Sequence, residues 1–251
     1  MKNLKLFLVA GLLTVSAPAF AQFANTGNNS GSKRSSSSAS AAVTEKTYSR
    51  IELSYNPISI TNDAGDDDFT TDLTGISFGY VKGFSVSKKY PIYVEAGLRL
   101  TYAFNSQSFE DYFDDDYYEG AGDIKHSYLG LTIPVNVAYK FAIPNSEVSI
   151  TPFVGVTLKG NILGKEKYEW SDEMEEAAEY SDVELIDEKD MFDKDDVGKD
   201  YQWKRFQFGW NIGANVSYNQ FNVGFSYGSD FSELCEDTKT SNWAISVGYN
   251  F

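Results

Sequence analysis

A chain of 251 residues is enough for one barrel or one large domain. Acids outnumber bases 36 to 21, and the formal charge of −15 argues against nucleic acid or an anionic lipid surface as a direct partner. Aromatic residues reach 16% while mean hydropathy is −0.35, a combination that suits aromatic girdles outside a barrel with a polar interior and hydrophilic loops.

At the start of the chain, Lys2 and Lys5 precede an apolar stretch from Leu6 to Val15, and Ala19-Phe20-Ala21 forms a small-x-small cleavage site before Gln22. This pattern predicts a secretory signal peptide over 1–21, too short to be a spanning helix. No cysteine stands directly after the cleavage point, so no lipoprotein anchor is expected. The single cysteine, Cys235, has no partner for an internal disulfide and reads as a bystander in a loop. Residues 22–47 are rich in Ser, Asn, Ala and Gly, with a run from Ser35 to Ser38, and predict a disordered periplasmic leader. No later stretch approaches the roughly 18 apolar residues of a membrane helix. A spanning protein without such a helix must be a closed barrel.

From Tyr48 onward the chain alternates. Eight segments are predicted as strands, at 48–60, 72–86, 91–105, 126–142, 147–161, 202–218, 221–230 and 241–251. The fourth is the clearest, with Leu129, Leu131, Ile133, Val135, Val137, Tyr139 and Phe141 on one face. The last places Trp243, Ile245, Val247, Tyr249 and Phe251 opposite Asn242, Ala244, Ser246, Gly248 and Asn250, and ends on an aromatic residue as outer-membrane strands do. Connections near 87–90, 143–146 and 219–220 are short, whereas 61–71, 106–125, 162–201 and 231–240 are long and mostly acidic. A soluble β-sandwich also alternates. The signal peptide, the terminal Phe and the long–short rhythm favour an all-β, eight-stranded antiparallel up-and-down transmembrane β-barrel over 48–251, in the bacterial outer membrane with long acidic extracellular loops.

The inward phase carries Arg50, Glu52, Glu95, Arg99 and Lys140 among Gly, Ser, Thr and Asn. A barrel of this size is just wide enough for side chains to fill. Opposite charges there are expected to pair and plug the lumen, since an unpaired buried charge costs several kcal/mol. A narrow passive channel is the alternative if they do not.

The segment Tyr128–Phe141 (YLGLTIPVNVAYKF) resembles the PorT-like outer-membrane β-barrel domain family, as do Thr151-Pro152-Phe153-Val154-Gly155, Phe208–Ala214 and Phe225-Ser226-Tyr227-Gly228. The resemblance covers about 48–251 and rests on strand patterns rather than site residues. It implies a small eight-stranded barrel of a group in which a few members serve protein secretion or surface export. It carries over no catalytic residue.

The long loop 162–201 is the most unusual stretch, with acids from Glu166 to Asp200. Ser171 is placed to cap a short helix, and Ser181-x-x-Glu184 has the pattern of a capping box, so one or two short helices are expected over the barrel mouth. Asp193, Asp195, Asp196 and Asp200 are candidate ligands for weak Ca²⁺ or Mg²⁺ binding through oxygen donors. The run misses the EF-hand pattern, because Val197 takes its fifth position and Lys204 its twelfth. Two smaller acidic clusters, at 63–68 and 109–119, interleave with aromatics in the second case. The only histidine, His126, precedes Ser127 at the outer end of the fourth strand. A rim-located lipid-modifying hydrolase would use this pair, yet adjacent strand residues face opposite sides. The expected function is therefore non-enzymatic, with no cofactor and no identified small-molecule substrate. The role is structural, adhesive or accessory to export, with outer-membrane lipid around the barrel and surface or export proteins met through loop 162–201.

Overall fold

The structure, a computed structural model, describes residues 46–63, 69–113 and 120–251. The expected signal peptide, the leader up to residue 45, and the acidic clusters at 64–68 and 114–119 lie outside the described residues. The strands are β1 (Thr47–Tyr55), β2 (Ile58–Asn62), β3 (Phe69–Ser85), β4 (Ile92–Ser108), β5 (Gly122–Tyr139), β6 (Phe141–Ala142), β7 (Val148–Trp170), β8 (Glu188–Asp190), β9 (Phe206–Tyr218), β10 (Phe221–Asp230) and β11 (Thr238–Asn250). Three short helices interrupt them: α1 (Phe109–Phe113), α2 (Asp172–Ser181) and α3 (Lys194–Val197).

All strands join one antiparallel sheet that runs β1-β11-β10-β9-β7-β5-β4-β3-β2. The ladder returns on itself, because β1 pairs with both β11 and β3, and β2 sits between the same two neighbours. At one end the links are tight. Asn219 turns β9 into β10 with φ of 54°, and Asn145 turns β6 toward β7 with φ of 59°. Asn tolerates that left-handed conformation better than most residues. At the other end the links are long.

Period-two alternation sorts the side chains as the sequence predicts. Outward residues are large and apolar and stay exposed: Phe78 is 60% exposed, Val137 55%, Phe225 55% and Val247 57%. Inward residues are small or polar and buried, among them Ser77, Thr101, Asn136, Asn215, Asn222 and Ser246. Such a wall is inside out relative to a soluble core. Two inward glycines exist because interior aromatic rings lie against their backbone. A Cβ on Gly83 would stand 2.4 Å from the Tyr48 ring, and one on Gly164 2.4 Å from the Trp203 ring.

Several boundaries differ from the sequence reading. The first segment breaks at Asn56-Pro57 rather than running through 48–60, since Pro has no N–H for the ladder and Asn56 turns inward to bond Ser77 on the neighbouring β3. β7 continues to Trp170, so 162–170 is strand and not loop. Its register slips beside Leu129/Gly130, which lets Asn161 and Glu166 both face inward. Likewise β4 and β5 reach Ser108 and Gly122, shortening the connection expected at 106–125. Residues 202–205 are not strand. The capping box at Ser181 does not form: Asp182 closes α2 in the left-handed conformation, and the second helix arises later, at Lys194.

Candidate functional site

The lumen is the first place to look for a site, and this chain fills it. At the tight-turn end Tyr48, Tyr93, Ala138 and Phe153 form an aromatic floor. Directly above, Arg99 Nη2 donates to Glu52 Oε1 at 2.6 Å and Arg50 Nε to Glu52 Oε2 at 3.2 Å. Arg50 also lies 3.6 Å from Glu95, which further accepts from the Tyr48 hydroxyl and from Asn136. Each charge therefore has an opposite charge beside it, which burial in a low-dielectric interior demands. Lys140 stands apart from this knot. It lies just past β5, with Nζ 5.6 Å above the Tyr48 ring, and lines a cavity of about 240 Å³ at the tight-turn mouth with Arg50, Ser149, Thr151 and Phe251.

A polar layer follows at mid-height. Asn56 donates to Ser77 at 2.8 Å and accepts from Asn242 at 2.8 Å. A second ion pair, Lys159 to Asp230 at 2.9 Å, is joined by the Thr240 hydroxyl. Sequence reasoning missed this pair, although both residues hold the inward phase of their strands. The cavity left between these layers is about 30 Å³. That volume holds about two waters, each needing roughly 10–15 Å³ of such space.

The long-loop end is closed by hydrophobic packing. Ile58, Leu73, Ala103, Tyr128, Trp203, Leu234 and Cys235 bury one another, with Met191 and Phe192 packed against them. Trp203 meets Phe192 edge-on at 6.0 Å, and the Arg205 guanidinium lies 3.5 Å over the Phe192 ring. The loop thus supplies its own stopper, tied down by bonds from Trp203 N to Met191 O and Met191 N to Gly164 O. Cys235 lies in the loop between β10 and β11, as the sequence predicts, but is part of this packing, and burial pushes its thiol pKa up.

Beyond the stopper, β4, β5 and β7 continue as a crown. His126 Nε2 is 3.2 Å from Glu166 Oε2, and the Tyr168 hydroxyl donates to the same carboxylate. Ser127 takes the outward side of β5, opposite Lys165 and Phe104 in register, so the pair singled out in the sequence is not brought together. Phe109, Ala121 and Ile124 form a small apolar base with Tyr168, Trp170 and Met174, on which α2 sits. Ser171 caps α2 as the sequence predicts, accepting from Met174 N.

Glu166 carries a pH dependence. Burial raises its pKa, but hydrogen bonds from His126 and Tyr168, with the charges of His126 and Lys189, bring it below the usual carboxylate range. A carboxylate whose folded pKa is depressed stabilises the fold above its unfolded pKa of about 4.3, and that contribution is lost as pH falls through the folded value. Hydrogen-exchange protection of the outer β5–β7 hairpin should therefore hold from neutral pH down to about pH 5 and decline below the ordinary glutamate range. Glu166→Gln should flatten the profile. Unchanged wild-type protection down to pH about 3 would rule this linkage out.

The candidate metal ligands are spread over separate tasks. Asp193 caps α3 by accepting from Asp195 N at 2.9 Å, and Asp196 Oδ2 accepts from Asp190 N at 2.9 Å. The Asp200 carbonyl accepts from Glu236 N at 3.0 Å. Among the described residues, no group of three or more His, Cys, Asp or Glu side chains converges in a way that would hold a metal ion.

No family model matches the chain, and no curated protein matches it. Among solved structures, it is similar to Ail, the attachment invasion locus protein of Yersinia pestis, in complex with the heparin analogue sucrose octasulfate. The identity is 12% and the TM-score 0.44, covering 82% of this chain and 100% of that one. It is similar to Neisserial surface protein A at 13% identity and a TM-score of 0.39, over 82% of this chain and 98% of that one. It is also similar to the outer membrane enzyme PagL at 10% identity and a TM-score of 0.36, over 77% and 98%. Likenesses this distant leave the function to be read from the chain's own residues.

Proposed function

We propose that the protein is a sealed, eight-stranded barrel of the bacterial outer membrane that works as a non-enzymatic surface protein through its outer crown. Counting β1 and β2 as one wall strand and setting aside the short β6 and β8, the eleven strands reduce to eight. The outward apolar row of β9, from Phe206 to Tyr218, spans roughly 44 Å along the strand at about 3.4 Å per residue. Tilted by about 40°, it covers roughly 34 Å, enough to cross a hydrocarbon layer of about 30 Å. The resemblance of its strand motifs to the PorT-like group adds an export-accessory role to the structural and adhesive ones.

The observation that carries the reading is the filled lumen: two ion-paired layers cross the interior, and the cavity between them is only about 30 Å³. What remains available is the outer surface. Catalysis by His126 is not part of the proposal, because Ser127 faces away from it. An altered lipid A mass spectrum on overexpression, abolished by His126→Ala, would reverse that.

The test keeps the stopper and removes only the crown's tip. Because Tyr168 N bonds Asp187 O and Lys167 pairs with Glu188, residues 172–185 can be replaced by a short Gly-Asn turn. Mild crosslinking in native membranes should capture neighbours with the full chain and lose them with the shortened one. An unchanged set would remove the crown from the function. Steady single-channel current from purified protein in planar bilayers would overturn the sealed lumen.

A further inference from the structure

The stretch from Ser171 to Asp187 holds apolar side chains that the fold does not use. Helix α2 spends Met174 on the base formed by Phe109, Ile124 and Trp170, and Ala178 is its only buried residue. Tyr180, by contrast, is 95% exposed, Val183 58% and Ile186 53%. Burying side chains of this kind is favourable, so three left in water within one short segment constitute unspent binding surface.

They are held in place rather than trailing. Val183 N bonds Ala178 O at 3.0 Å, Trp170 Nε1 donates to Ile186 O at 3.0 Å, and Tyr168 N bonds Asp187 O at 2.8 Å. A surface already ordered gives up little entropy on binding. The charge around it selects the occupant. Between Ser171 and Asp187 there are eight Asp and Glu and no Lys or Arg. Lipid phosphates, nucleic acids and acidic glycans are repelled, and a neutral partner would leave those charges idle.

We propose that this finger docks a cationic protein segment bearing an apolar anchor. The anchor packs on Tyr180, Val183 and Ile186, and the acids speed encounter and fix orientation, as charge complementarity does at interfaces. The proposal rests on the crown being the working surface.

The full chain in phosphatidylcholine nanodiscs is titrated, by fluorescence anisotropy, into a labelled peptide of alternating lysine and leucine with one tryptophan. A lysine-only peptide serves as comparison. Two variants are used, Tyr180→Ser/Val183→Ser/Ile186→Ser and Glu173→Gln/Glu176→Gln/Glu179→Gln, their helicity checked by circular dichroism. The serine variant should lose at least about tenfold in affinity for the mixed peptide. The glutamine variant should bind it more weakly and with a shallower salt dependence. Equal binding of the mixed peptide by the serine variant and the parent chain, or none by the parent chain at low salt, overturns the proposal. In native membranes, capture lost on shortening the crown but kept by the serine variant would retain the surface role and reject this mode of docking. Capture indifferent to both would reject both.

Discussion

Glu52→Ala is expected to cost about 3–5 kcal/mol of unfolding free energy, because it leaves a guanidinium group without its carboxylate inside the wall. Glu52 is 4% exposed and receives Arg99 on one oxygen and Arg50 on the other. Glu95 remains beside Arg50 at 3.6 Å, so Arg99 is the group left without its close carboxylate. Reversible urea unfolding in lipid vesicles, followed by heat-modifiable mobility on gels, reads the change as a lower midpoint. Replacing Arg99 and Glu52 together with Met should recover most of the loss, since an apolar pair of similar volume removes both charges. A single variant as stable as the parent chain would mean that the charges are hydrated and the interior wetter than its packing implies.

The second large effect belongs to the stopper. Trp203→Ala should cost about 3–5 kcal/mol, the range for removing a large buried aromatic side chain. The ring is 8% exposed, lies 6.4 Å from Tyr128 and 6.0 Å from Phe192, and covers the backbone of Gly164. Its loss should also release the segment around α3, so trypsin should cut at Lys194, Lys199 or Lys204 in folded, membrane-embedded protein where the parent chain resists. Conductance should stay at baseline even so, because the Lys159–Asp230 and Arg50–Glu52–Arg99 layers still close the lumen below. Resistance to trypsin equal to the parent chain's would show that the stopper is held by something other than this ring.

The wall was legible in the sequence wherever one face is greasy and the other is not. Strands β4, β9 and β11 can be read off their alternation, and Ser171 off its position before a run of acids. Legibility ended where that contrast ended. Lys165 to Glu169 are polar on both faces, so nothing marks them as strand, yet pairing with β5 and the Lys125–Glu169 and Lys165–Glu188 contacts continue β7 through them. Met191, Phe192 and Trp203 sit among acids with no periodicity at all. Their burial depends on the mouth they fall into, which is a property of the closed ring and not of the local chain. Asp193 and Asp196 show the same limit from the other side. An acid's neighbours in sequence suggest a ligand, but a backbone N–H nearby claims the oxygen first.

The length of β7 sets a height. Its 23 residues extend roughly 75 Å along the strand, or about 58 Å along the barrel axis at a tilt of about 40°. An apolar band takes up only about 25 Å of that. The remainder is a stiff mast, braced by β5 and β4, that carries α2 some 30 Å beyond the apolar band, by the same rough geometry. A partner can thus meet the tip without approaching lipid. Cutting the mast back by whole residue pairs on β5 and β7 would lower that meeting point by roughly 5 Å per pair of positions, a ruler built into the wall itself.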